Sequence, residues 1–259
     1  MCKICRQDSV GQFPMRLHIL GIPFHALTME ETLDTLEGYL GEPKNHIIVT
    51  PNPEGVMQAR RNPGFAAAIK GADLSLADGT GIVLAAKCTG QKIPGRVRGY
   101  DTIIALCERL TEKDRDFTVY FLGAKPGVAE SAKANMEARY PNMKVIGYHH
   151  GYFTGDAPII DEINSLSPDI LLACTGMPRA ELWATKNRNI NARITMCLGG
   201  AMDIMAGEVP LAPPIMRKLG LEWLYRLISQ PGRAKRQLDI PRFVLAVIFS
   251  KFRRQKYEN

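Results

Sequence analysis

The chain has 259 residues, 46% hydrophobic and 23% charged, ample for a sizeable α/β core with or without an appendage and unlike the composition of a disordered or fibrous chain. Its net charge of +7 is unevenly placed: residues 211–259 hold 11 Lys/Arg against 3 Asp/Glu, so a basic C-terminal segment follows a nearly neutral body, as expected of a chain with an anionic partner, phospholipid or nucleic acid. The 6 scattered cysteines fit reduced thiols better than a disulfide framework, and no run approaches the ~20 apolar residues that cross a bilayer.

Residues 1–15 read as a polar, disordered tail. Its lone Cys2-x-x-Cys5 has no second pair and no His at ligand spacing, and the tail lacks the apolar run of a signal peptide. Residues 17–22 (LHILGI) predict one short strand. Thr28 with Glu31 three residues on has capping-box spacing, and Leu33, Leu36 and Leu40 follow on a helix. HIIVT (46–50) is a buried strand running into TPNPEG, and EGVMQARRNPGFAAAIKGA is helix broken near Asn62-Pro63. ADLSLAD is a short strand, and TGIVLAAKCTG opens the next helix. After a polar stretch come the strand FTVYFLG (117–123), the helix VAESAKANMEARY and the strand MKVIGYHHGYF. A helix around 158–166, the strand DILLACTG (169–176), a helix from Glu181 and the strand ARITMCLGG (192–200) complete the alternation.

Strands and helices in this rhythm predict an α/β fold, a Rossmann-like and mostly parallel sheet with helices on both faces, over residues 16–210. Residues 211–259 predict a basic helical appendage. In it Leu219, Trp223, Leu224, Leu227 and Ile228 recur at helical spacing, and FVLAVIF joins a Lys/Arg cluster. Such a pattern suits a helix lying on an anionic leaflet; the alternative is a helix packed on the core. Removal from residue 211 is expected to leave the core folded.

Parallel sheets bind ligands at the carboxyl ends of their strands. Five strand ends qualify here: TPNPEG, ADGTG, FLGAKPG, CTGMPRAE and LGGAMD. Their glycines let backbone N–H groups approach a phosphate, although neither a P-loop nor GxGxxG is present. The expected nucleotide contacts are Gly123, Gly127, Gly176, Gly199 and Gly200, with Glu181 and Asp203 orienting polar groups. At one rim Asp78 is placed beside Thr50 and Asn52, where a carboxylate can act as general base toward a substrate hydroxyl. Read from the residues alone, a helix cap is favoured for Asp78 over a base. Asp114-Arg115-Asp116 precedes its strand and so belongs to the wrong sheet edge for a metal–nucleotide site. His149-His150 would point to opposite faces of a strand, against a metal pair.

TPNPEG, ADLSLADGTG, RVRGYD, FLGAKPGVAE, RYPNMKVIGYHHGYF, LACTGMPRAE, LGGAMDIMAG and LGLEWLYRL occur in this order, and the chain over roughly residues 17–238 resembles the WecG/TagA/CpsF glycosyltransferases. The resemblance implies an inverting transfer of a sugar, N-acetylmannosamine in particular, from a UDP-sugar donor to a polyprenyl-diphosphate-linked acceptor, undecaprenyl-diphosphate-linked N-acetylglucosamine. The product serves teichoic acid or related surface polysaccharide synthesis. It further implies no metal or other cofactor, Asp78 as base with Thr50 and Asn52 beside it, and Arg226, Arg233 and Arg236 on the acceptor diphosphate. A cytoplasmic protein held peripherally on the inner membrane face, with a tendency to self-associate, is expected. Two positions depart from the family pattern: Ala180 stands where glutamine is usual, and Leu211 where arginine precedes Ala-Pro. A nucleotide-sugar-binding protein without catalysis is the first alternative. A nucleic-acid-binding protein is the second, and against it the tail interleaves its charges with Leu, Ile, Val and Phe instead of stacking aromatics.

Overall fold

The computed structural model describes residues 15–229 and 237–258. The N-terminal tail, except its last residue, lies outside the described residues, as do Arg233 and Arg236. At the start, β1 (Arg16–Ile19) and β2 (Ile22–His25) form an antiparallel hairpin where the sequence predicted one strand. Leu20 (φ 52) and Gly21 (φ 84) both adopt left-handed backbone, the geometry of a two-residue hairpin turn whose twist matches its strands.

The main sheet has six strands, all parallel, in the order β4 (Leu74–Ser75), β3 (His46–Val49), β8 (Ile194–Cys197), β7 (Ile170–Cys174), β5 (Phe117–Gly123), β6 (Met143–His149). The central strands are continuous apolar runs because both faces are covered. Alternate residues feed two cores: Ile47, Val49, Tyr120, Leu122, Leu171 and Ala173 on one face, and Ile48, Val119, Phe121, Ile170 and Leu172 on the other. The first core is closed by α2 (Pro53–Arg61), α3 (Pro63–Gly71), α4 (Thr80–Cys88), α7 (Ala157–Leu166) and α8 (Arg179–Lys186). The second is closed by α1 (Met29–Leu40), α5 (Gly99–Glu112), α6 (Val128–Arg139) and α9 (Ala201–Met205).

Local chemistry accounts for several of the predicted boundaries. Thr28 and Glu31 form the full capping box of α1. Asn62 ends α2 and caps α3, its side chain accepting from the Phe65 N–H at 3.0 Å, with Pro63 at the first helical position. The helix α5 occupies the stretch that the sequence marks only as polar. Its buried Ile103, Leu106, Cys107 and Leu110 carry helical spacing, but its N-cap is Arg98, without a capping side chain, so no start signal marks it.

The C-terminal segment forms α10 (Pro214–Leu219), α11 (Glu222–Ser229) and α12 (Asp239–Glu258). One stripe of α12 is core: Phe243 and Val247 are buried with residues of α2 and α4. Asp239, itself buried, receives both ends of the Arg61 guanidinium, one of them at 2.9 Å, and Arg242 at 3.2 Å. The opposite stripe, Val244, Leu245, Ile248 and Phe249, faces solvent. Helices α10 and α11 are tied to the body by charge. Arg217 pairs with Asp101 at 2.9 Å, Arg98 pairs with both Asp101 and Glu222, and Arg96 donates to the Arg217 carbonyl.

Candidate active site

Strand order brings the predicted turns to one edge. Because β4 lies beside β3, the turn after Ser75 carries Asp78 next to the β3 end with Thr50 and Asn52. Asp78 is half-buried. The residue at the N-cap of α4 is Gly79, with φ 106 and no side chain of its own to cap with. Asp78 stands one residue before that position. Asn52 does cap: its Oδ1 accepts from the Gly55 N–H at 2.9 Å at the head of α2. Thr50 Oγ1 donates to the Cys197 carbonyl at 3.4 Å, joining the ends of β3 and β8.

The RVRGYD segment closes this corner from the other side. The Val97 N–H donates to the Ala77 carbonyl at 3.0 Å, and Arg96 Nη1 donates to Thr80 Oγ1 at 3.3 Å. Gly220, between α10 and α11, presses on Thr80 so closely that a Cβ there would stand 2.3 Å from its hydroxyl. The C-terminal segment thus abuts the turn that holds Asp78. Arg226 is on α11.

The glycine turns occupy the middle of the edge. Gly123 (φ +144) ends β5 against β7, where a Cβ would lie 2.4 Å from the Cys174 carbonyl carbon, so only glycine fits. Gly176 (φ +83) and Gly199 front open space, as does Gly127 (φ +86), the N-cap of α6. Gly200 is the N-cap of α9, and Asp203, half-buried in its first turn, holds Glu208 and Val209 through its carbonyl. The Gly123 and Gly199 turns are not neighbours, since β7 stands between their strands. Met177, from the turn after β7, reaches the head of α2: a Cβ on Gly55 would meet its Sδ at 2.7 Å. Glu181, one turn further on, is 5% exposed, and its Oε2 has no hydrogen-bond partner among the described residues. Thr175 Oγ1, at the same turn, is likewise buried and unpartnered.

Burial pushes the Glu181 carboxyl up to about 7 and, with Glu181 and Cys174 nearby, drives the Cys197 thiol well above its ordinary range. The Glu181 shift is upward for an acid, so the fold disfavours the charged form. Its neutral form costs nothing extra at low pH, and the penalty grows as pH rises from about 4.5 to about 7 and then levels off. Glu181→Gln should therefore gain stability relative to wild type across that window, by up to about 3 kcal/mol above it. Denaturant unfolding of both proteins at acid and alkaline pH checks this, and a pH-independent difference would contradict it.

At the β6 end, His149 and His150 come together instead of diverging, ring centroids 4.5 Å apart, because β6 stops at His149 and the chain turns there. The Gly151 N–H donates to the Ala124 carbonyl at 2.8 Å, folding this loop over the end of β5. Among the described residues no group of three or more His, Cys, Asp or Glu is arranged to hold a metal. Asp114 and Asp116 lie at the opposite, amino edge, both accepting from Asn142 Nδ2 at 3.1 Å. Arg179 carries a signal in the sequence, its place in the turn after β7, whereas Arg96, between α4 and α5, reaches the Asp78 turn only through the fold.

The chain matches the glycosyl transferase WecG/TagA/CpsF family over residues 17–257. It is 33% identical over 211 residues to a Bacillus spizizenii protein, covering 81% of each chain. A Bacillus subtilis relative is 31% identical over 232 residues, covering 89% of this chain and 90% of its own. One from Staphylococcus aureus is 30% identical over 240 residues, covering 91% and 93%. All three are named N-acetylglucosaminyldiphosphoundecaprenol N-acetyl-beta-D-mannosaminyltransferase.

Proposed function

Because the chain belongs to the glycosyl transferase WecG/TagA/CpsF family, we propose that it transfers N-acetylmannosamine from a UDP-linked donor to N-acetylglucosamine carried on undecaprenyl diphosphate, for surface-polymer synthesis. The observation that carries the reading is Asp78: a half-buried carboxylate at parallel strand ends, on the turn after the strand that pairs with the one leading into Thr50. As base it takes the proton of the acceptor hydroxyl while that oxygen attacks the anomeric carbon. The bond from that carbon to the diphosphate oxygen breaks on the opposite face, which inverts the centre and releases UDP. Backbone N–H groups of the glycine turns, with Gly123, Gly127, Gly176, Gly199 and Gly200, meet the charge that develops on the diphosphate, and Glu181 and Asp203 orient its surroundings. Arg226, Arg233 and Arg236 grip the acceptor diphosphate, which the docking of α10 and α11 beside Thr80 favours.

No helix among the described residues is long and apolar enough to cross a membrane. The acceptor is a lipid, and the exposed Val244, Leu245, Ile248 and Phe249 of α12, with Lys251 beyond them, supply the apolar stripe and charge for peripheral attachment to the anionic inner face. Each basic residue at that surface adds about 1 kcal/mol. Incubation of the whole chain with UDP-N-acetylmannosamine and a lipid-diphosphate N-acetylglucosamine acceptor in anionic liposomes tests both parts. Release of UDP with a mass gain of one N-acetylhexosamine on the acceptor, faster at low salt than at high salt, is expected. Absence of product across a panel of UDP-sugars would end the reading.

A further inference from the structure

Arg179 begins α8, directly after the Gly176 turn, and its side chain is exposed. It makes no ion pair among the described residues. Instead its guanidinium lies 4.6 Å from the centroid of the Phe153 ring and Nη2 donates to the Phe153 carbonyl at 3.4 Å. Phe153 in turn takes His149 edge-on at 5.9 Å. Since Arg179 follows β7 and Phe153 follows β6, with β5 between these strands, the side chain bridges the flank of the β5 end, where Gly123 and Ala124 turn. A guanidinium stacked on a ring is already oriented, so it loses less freedom on binding an anion than a loose lysine would. Two of its N–H groups suit a phosphate in the bidentate manner, and the head of α8 adds positive potential there.

We propose that Arg179, held by Phe153, is the cation that receives the diphosphate of the nucleotide donor. The donor then lies along the row of strand ends, its nucleoside toward the His149–Phe153 loop and its sugar toward Thr50 and Asp78. This rests on the glycosyltransferase reading. The span fits: Thr50 and the His149 loop are separated by four strand spacings, roughly 19 Å, commensurate with an extended nucleoside diphosphate sugar. The opposite orientation would put the nucleoside at the Asp78 corner, which Gly220 and Arg96 already crowd. Tyr152 stands exposed in the loop after β6, a ring on which a base can stack.

The test compares UDP and uridine binding by titration calorimetry on the full-length chain, for wild type, Arg179→Gln, Phe153→Leu and Lys186→Gln. Lys186 is a cation on the same helix, paired with Asp156 at 3.1 Å. Arg179→Gln should weaken UDP about tenfold to hundredfold, leave uridine unchanged and flatten the salt dependence of UDP binding. Phe153→Leu should weaken UDP to a smaller extent, through lost orientation of the guanidinium, and Lys186→Gln should change nothing. UDP affinity unaltered in Arg179→Gln, or uridine weakened as much as UDP, would overturn the proposal alone. A wild-type chain that binds no UDP would overturn it together with the donor reading.

Discussion

Asp78→Asn should lower the rate of sugar transfer by about 10²- to 10⁴-fold, the usual contribution of a positioned general base. Its UDP affinity and thermal midpoint should stay near wild type. The substitution keeps size and turn-forming capacity, so the loss would reside in proton transfer. Retained folding is expected because asparagine keeps a hydrogen-bonding oxygen at the same place in the turn. Single-turnover measurements with saturating donor separate chemistry from binding. A mutant with wild-type turnover would remove Asp78 from the mechanism and leave the corner without a base.

Phe243→Ala should destabilise the protein by about 3–5 kcal/mol, as expected for an aromatic ring removed from a close-packed core. Phe243 is 2% exposed and shares a core with Val56, Ile82 and Ala85, across the first face of the main sheet. Phe249, on the same helix but 67% exposed, provides the control: Phe249→Ala should change stability by no more than about 0.5 kcal/mol. The pair also bears on the expectation that the chain could be cut at residue 211 without harm. Such a cut strips Phe243 and Val247 from the core and Asp239 from Arg61, so loss of activity in the truncated chain would mix unfolding with loss of acceptor contacts. Point changes at Phe249 and Leu245 keep the two effects apart. Chemical denaturation of the two phenylalanine variants decides the matter: equal, small effects would mean that α12 is not part of the cooperative fold.

Much of the architecture is written locally. Buried parallel strands need uninterrupted apolar runs, and HIIV, FTVYFLG, ILLAC and ITMC supply them. Turn and cap residues punctuate them: Thr28 with Glu31, Asn62 with Pro63, and Gly123, whose φ no other residue adopts easily. From these alone the α/β class, the strand-end location of the site and the wrong-edge position of Asp114 and Asp116 follow. The hairpin at Leu20-Gly21 escaped because a non-glycine residue with positive φ is not marked by composition, and α5 escaped because its N-cap carries no capping side chain.

Strand order was decided elsewhere. A strand's apolar pattern states that both faces are buried, not which neighbour pairs with it, and that choice depends on how the helices of distant segments fill each face. Only the packed sheet inserts β8 and β7 between β3 and β5, and so separates the Thr50 end from the Gly123 turn. Only packing divides α12 into Phe243 and Val247 inside and Leu245 and Phe249 outside, a distinction that hydropathy cannot make between residues equally apolar. The Arg179–Phe153 contact, between segments that follow different strands, has the same origin. The sequence by itself therefore determined which groups stand at the ends of strands, because periodicity and turn chemistry are local. The tertiary structure alone decided which of those ends are neighbours, because pairing between strands far apart in the chain is selected by burial of the whole sheet at once.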